Sequence, residues 1–228
     1  MEIKHPEWLQ IQAGAQVLYG FSQSWYKTSF QQSRGCGPTA AAMLLSYLNR
    51  REQAHLPYQC HTISAVTEVL EDVWNFVTPG RLLGLNNTHK FCYGMNKLIQ
   101  HYNLGWQCHE LAIPAFKRSR VACQQALAFL ETAISSDSPV AFLNLHRGKV
   151  TELESWHWIA LLALAYDTKQ DRYLATCYDG GRCISFDMGL WLETTRFGGG
   201  FVYVTTQEET AQTEGEISRY YYFASLKK

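Results

Sequence analysis

The segment Arg34-Gly35-Cys36-Gly37-Pro38-Thr39-Ala40-Ala41-Ala42-Met43-Leu44-Leu45-Ser46-Tyr47-Leu48-Asn49 is turn-forming up to Pro38 and almost wholly apolar after Thr39. Proline suits the first turn of a helix, where its missing N–H costs nothing. A helix that is apolar on nearly every side belongs in a core. The spacing therefore predicts a buried helix over Thr39 to Asn49, with Cys36 at its N-terminal tip. Thiols attack as thiolates, and a free cysteine is mostly protonated at neutral pH. The positive end of the helix dipole and its unpaired N–H groups favour the anion. Gly35 and Gly37 leave room beside the sulfur for a substrate backbone. The same hexapeptide also reads as an ordinary helix-opening turn, so Cys36 needs partners before it carries any chemistry.

Outward from this helix the chain divides by character. Thr62 to Trp74, Phe91 to Tyr102 and Ser119 to Ile134 carry apolar residues at helical spacing. Beyond them the pattern becomes that of strands: Pro139 to Leu145, Trp156 to Tyr166, Arg172 to Tyr178, Arg182 to Phe186 and Gly200 to Thr205, with a last one over Ile217 to Phe223. Asp167 to Asp171 and Asp179-Gly180-Gly181 read as hairpin loops. Helices followed by an antiparallel sheet predict an α+β fold, with the Cys36 helix packed on the sheet. No repeat or low-complexity linker divides residues 1–228, which predicts a single domain.

A nucleophilic thiol requires an imidazole that holds the ion pair and later protonates the leaving group. Of eight histidines, His157 stands apart, at the entrance of the most apolar strand and between Trp156 and Trp158. The simpler reading is a hydrogen-bonded core histidine. If the strand from Trp156 pairs with the next across the 167–171 turn, the end of the second strand returns to the start of the first. That places Asp179 beside His157, where a carboxylate would orient the ring. Asp179 also fits a plain Asp-Gly turn.

Taken together, Cys36-Gly37-Pro38-Thr39 opening an apolar helix, His157-Trp158 opening an apolar strand, and Asp179 after a second strand resemble the C39-like branch of the papain-like cysteine peptidases. The resemblance rests on about 19–48 and 155–205, and on order and spacing rather than on any single motif. It implies a papain-like fold and an acyl-enzyme mechanism: Cys36 as nucleophile, His157 as base and then acid, Asp179 fixing the tautomer. Such enzymes also use a glutamine upstream of the cysteine as oxyanion donor. Gln31 lies at nearly the distance usual for short-loop members. Gln23, within Tyr19 to Tyr26, resembles the strand-plus-glutamine element of longer-loop members and is slightly preferred. The transporter segment of bacteriocin-processing relatives and the export signal of secreted ones are missing from these residues. The implied substrate is a peptide or amide. The cleft walls are expected around 76–92 and 146–155, where Arg147 and Lys149 could meet a carboxylate or stand as solvated loop charges. A transferase using the same triad, and a non-catalytic binding module on the same fold, remain the alternatives.

Bulk properties narrow the classes further. A hydrophobic fraction of 46% with 14% aromatics supports a real core. With zero formal net charge and no long charged block, capture of nucleic acid or an anionic membrane is not expected. The N-terminus has no signal-peptide pattern, and Trp156 to Tyr166 is too short to span a bilayer, so a soluble, cytoplasmic protein is expected. Seven irregularly spaced cysteines without a CxxC predict reduced thiols and neither a structural zinc nor any cofactor.

Overall fold

The computed structural model describes residues 1–206, apart from 59, 81–83 and 117–118 and the side chain of residue 121. In chain order the elements are β1 (Gln10–Ala13), β2 (Gln16–Tyr19), α1 (Ser29–Arg34), α2 (Cys36–Glu52), α3 (Ile63–Trp74), α4 (Thr88–His101) and β3 (Trp106–Ile113). There follow α5 (Arg120–Ser135), β4 (Val140–Asn144), β5 (His157–Asp167), β6 (Arg172–Asp179), β7 (Arg182–Asp187), α6 (Met188–Thr194) and β8 (Gly199–Thr206).

The apolar run after Pro38 forms α2, buried at every residue from Gly37 to Leu48. It packs on β5 and β4 of a six-stranded antiparallel sheet of order β3-β8-β4-β5-β6-β7. The fold is therefore mixed α+β, as the order of elements predicts. α2 is also tied at its far end. Tyr47 donates to Asp137 Oδ1 at 2.6 Å, and the Lys4 N–H donates to the same oxygen at 2.7 Å.

The division into a helical half and a strand half is less clean than the sequence suggests. β3 lies before α5 and forms one edge of the sheet, paired along its length with β8. Its half-exposed residues lack a strict alternation. A short hairpin, β1–β2, precedes the helices, and α6 interrupts the strands, capped by Asp187 accepting from the Leu190 N–H. The strand expected over 217–223 lies outside the described residues. β5, β6 and β7 follow one another as hairpins with the expected turns. Across β6–β7, Cys177 is opposite Ile184 and Cys183 opposite Tyr178, so the two cysteines fall on opposite faces. All seven cysteines are free thiols.

Candidate active site

Cys36 is the first residue of α2. Gly35 precedes it in close contact with the Tyr26 ring: a Cβ there would run into Tyr26 Cε2. At Gly37, a Cβ would meet Leu85 Cδ2 at 2.7 Å. The two glycines thus let Tyr26 and Leu85 close against the backbone on either side of the thiol, which itself stays partly exposed.

His157 opens β5 opposite Asn144 of β4. Asn144 is buried and ties down the connection between these strands. Its Nδ2 donates to the Glu154 carbonyl at 2.7 Å, and its Oδ1 accepts from Trp191 Nε1 at 2.9 Å. The β5–β6 hairpin returns Asp179 to His157, and Nε2 donates to Asp179 Oδ1 at 2.7 Å. Arg182 Nη2 lies 3.7 Å from the other oxygen, Asp179 Oδ2. The Cys36 sulfur lies beside the same imidazole, near enough to favour its charged form. With Nε2 engaged by Asp179, Nδ1 is the nitrogen left for the sulfur.

Burial alone would lower the His157 pKa, because it penalises the imidazolium. The hydrogen bond to Asp179, then the neighbouring Cys36 and the charges of both, overcome this penalty and push it up to about 10. At neutral pH the ring is therefore charged, with the carboxylate on one side and the Cys36 sulfur on the other.

The two glutamines have separate fates. Gln31 belongs to a capping box at the start of α1. Its Oε1 accepts from the Thr28 N–H and hydroxyl, and its Nε2 donates to Glu71 Oε2 at 2.7 Å. Both ends of that amide are occupied away from the sulfur. Gln23 instead shares a small cavity with Cys36, Thr39, His157 and Asp179.

The path of the chain brings Gln23 there. The Tyr19 N–H donates to Gly181 O at 2.8 Å, fastening β2 to the turn that follows Asp179. Gly20 then bends with φ +79, and a Cβ there would stand 2.8 Å from Tyr178 Cβ and 2.9 Å from Met43 Sδ. The Phe21 N–H donates to the Met43 sulfur at 3.4 Å. Gly20 is thus the residue that allows the segment to cross α2 and reach the site.

A second cavity of about 200 Å³ opens on another side of Cys36, bounded by Arg34, Leu85, Leu143, Leu145 and Trp156. Leu85 comes from the expected 76–92 wall, whereas neither Arg147 nor Lys149 lines this cavity. Among the described residues the cation that does is Arg34, two residues before the thiol. It sits ahead of the helix-opening motif and belongs to no pattern of its own, so the sequence does not single it out.

Among the described residues no helix is long and apolar enough to cross a membrane, and no group of three or more His, Cys, Asp or Glu side chains gathers as metal ligands do. Cys60 hydrogen-bonds Ser46, and His109 bonds Thr205.

No curated protein matches the chain. The sequence model of the Peptidase_C39 like family matches residues 21–181, a span that runs from the crossing segment through the β6–β7 turn. Cys36, His157, Asp179 and both glutamines all fall inside it, and the chain belongs to this family.

Proposed function

We propose that the chain is a cysteine-nucleophile hydrolase of peptide or amide bonds, working as a single papain-like domain. Membership of a peptidase family supports the reaction class. The observation that carries the finer reading is the grouping of Asp179, His157 and Cys36 around one cavity, with a 2.7 Å hydrogen bond from the imidazole to Asp179 and the Cys36 sulfur nearby.

The proposed sequence begins from a thiolate–imidazolium pair, in which His157 holds the proton of the Cys36 thiol. The sulfur attacks the scissile carbonyl carbon, and the carbonyl electron pair moves onto oxygen. The Cys36 backbone N–H and the Gln23 amide stabilise that oxyanion. His157 then gives its proton to the leaving amine as the C–N bond breaks, leaving an acyl thioester on Cys36. Water, deprotonated by His157, attacks the thioester and regenerates the thiolate–imidazolium pair. Asp179 keeps the ring oriented and compensates its charge.

Gln23, rather than Gln31, is the proposed oxyanion donor, because the Gln31 amide is committed to Thr28 and Glu71. The test is alkylation by iodoacetamide near neutral pH, followed by peptide mapping, together with hydrolysis of an activated amide. Cys36 should react faster than the other thiols, and Cys36→Ala and His157→Ala should abolish turnover. Equal reactivity of all thiols, or turnover unaffected by His157→Ala, would refute the assignment. Adding amines to the same assay separates hydrolysis from acyl transfer: a transferase diverts most product to the amine adduct.

A further inference from the structure

Among the described residues, Cys36 borders a small and a large cavity. The one containing His157 and Asp179 has room for only about 20 Å³, whereas the one bounded by Leu85, Leu143, Leu145 and Trp156 has about 200 Å³. If Cys36 is the nucleophile and His157 the acid, chemistry assigns the two sides. The leaving amine must lie within reach of the imidazole that protonates it, so it departs on the His157 side. The larger cavity, which His157 does not line, is then left for the acyl portion.

Its walls are apolar and firmly held. Leu143 is 2% exposed and Leu85 5% exposed. The Leu85 carbonyl accepts from Trp158 Nε1 at 2.6 Å, which locks that wall to β5. Trp156 stands at the mouth, 54% exposed, with φ +60. A bulky residue rarely adopts this left-handed conformation, and such strain persists where the surroundings impose it. The Phe197 ring, 6.5 Å away, flanks Trp156. A strained, exposed tryptophan beside a half-open apolar pocket is suited to closing over a ligand side chain.

Among the described residues the polar rim carries one cation. Arg34 lines the cavity from the last turn of α1, and among the described residues no carboxylate pairs with it. Unpaired and partly buried, its guanidinium is free to take a carboxylate through two parallel hydrogen bonds.

We propose that this cavity selects substrates with a large apolar residue on the acyl side of the scissile bond and an acidic residue next to it, the carboxylate meeting Arg34. The inference rests on the nucleophile assignment above and deepens it by naming a substrate class.

The experiment uses the whole chain with two probes: iodoacetamide, and a positional-scanning library of N-acetyl tetrapeptidyl aminocoumarin amides. Cleavage should concentrate on peptides with Leu, Phe or Met at one of the two positions preceding the scissile bond. Against Gly or Lys there, the preference should be on the order of 10- to 100-fold in kcat/KM. An adjacent Asp or Glu should add to it, and Arg34→Gln should remove that addition while leaving the apolar preference. Leu145→Lys, at a partly exposed position, should weaken the apolar preference. No apolar preference, or one unmoved by Leu145→Lys, overturns the inference. An acidic neighbour without effect, or with an effect that survives Arg34→Gln, overturns the part assigned to Arg34. A Cys36 that outpaces the other thiols with iodoacetamide while no library member is cleaved overturns the substrate class alone. A Cys36 no more reactive than the rest removes the nucleophile reading itself and this inference with it.

Discussion

Replacing Asp179 by asparagine preserves the shape of the side chain and removes a negative charge whose oxygen sits 2.7 Å from His157 Nε2. With charge centres about 4 Å apart and an effective dielectric near 20, the lost attraction is roughly 4 kcal/mol. At 1.36 kcal/mol per unit this corresponds to about 3 pH units. His157 is held up to about 10 against a burial penalty that acts downward. In Asp179→Asn it should therefore titrate near 7, a value of roughly ordinary size. The direct assay is an NMR pH titration of the His157 ring proton, assigned by comparison with a variant lacking that histidine. Stability supplies an independent reading. A folded-state pKa raised above the unfolded value of about 6.5 contributes stability fully below pH 6.5, and the contribution is lost as pH rises through about 10. The stability deficit of Asp179→Asn in urea should thus be largest near pH 6 and shrink towards zero at about pH 10. A ring that still titrates near 10 in the variant, or a deficit that does not change with pH, would refute the electrostatic account.

Other outcomes follow from the same geometry. If His157 is the proton donor to the leaving group, wild-type kcat/KM should hold on the alkaline side until about pH 10, whereas that of Asp179→Asn should decline from about 7; a pH–rate profile reads both. Gln23→Ala should lower kcat about 10²- to 10³-fold with little change in melting temperature. Gln31→Ala should instead cost about 1 kcal/mol of stability, as the loss of a helix cap does, with activity largely retained; paired kinetics and thermal melts distinguish them. Gly20→Ala forces a Cβ to within 2.8 Å of Tyr178 Cβ at φ +79. It should destabilise by about 1–3 kcal/mol and reduce activity by moving Gln23, measurable by melting and turnover. In mass-spectrometric mapping at pH 7, Cys60, Cys108, Cys177 and Cys183 should lag behind Cys36, since burial pushes all four thiols up.

What could be read from the chain, and what could not, depends on how local each cause is. The core helix behind Cys36 was legible because twelve consecutive residues, Gly37 to Leu48, are buried, and such a run leaves no polar face to mislead. The meeting of His157 and Asp179 was legible for a different reason: a hairpin fixes which residues return to each other, so strand lengths alone bring the two together. β3 escaped because its exposed and buried residues do not alternate.

The proposal of Gln23 over Gln31 rests on one local and one distant fact. The local fact is Thr28-x-x-Gln31, a capping-box signature visible in the sequence, which commits Gln31 to the start of α1. The distant fact is the crossing at Gly20, which depends on Tyr178 and Met43 lying beneath it, and no local pattern announces that. The larger cavity is less legible still. Arg34, Leu85, Leu143, Leu145 and Trp156 come from four separate segments, and only the folded sheet gathers them.

The burial of α2 on every side has a consequence for how the site moves. Amides in the middle of a helix so enclosed exchange with solvent only when the whole domain opens. Cys36 starts that helix, so its backbone is bolted to the slowest-exchanging part of the molecule. Asp179 and Gln23 hang instead from a two-glycine turn and a glycine crossing, where φ is +57 at Gly180, +87 at Gly181 and +79 at Gly20. The sulfur is therefore the stationary jaw of a vice, and whatever adjustment a substrate demands must come from the opposing side.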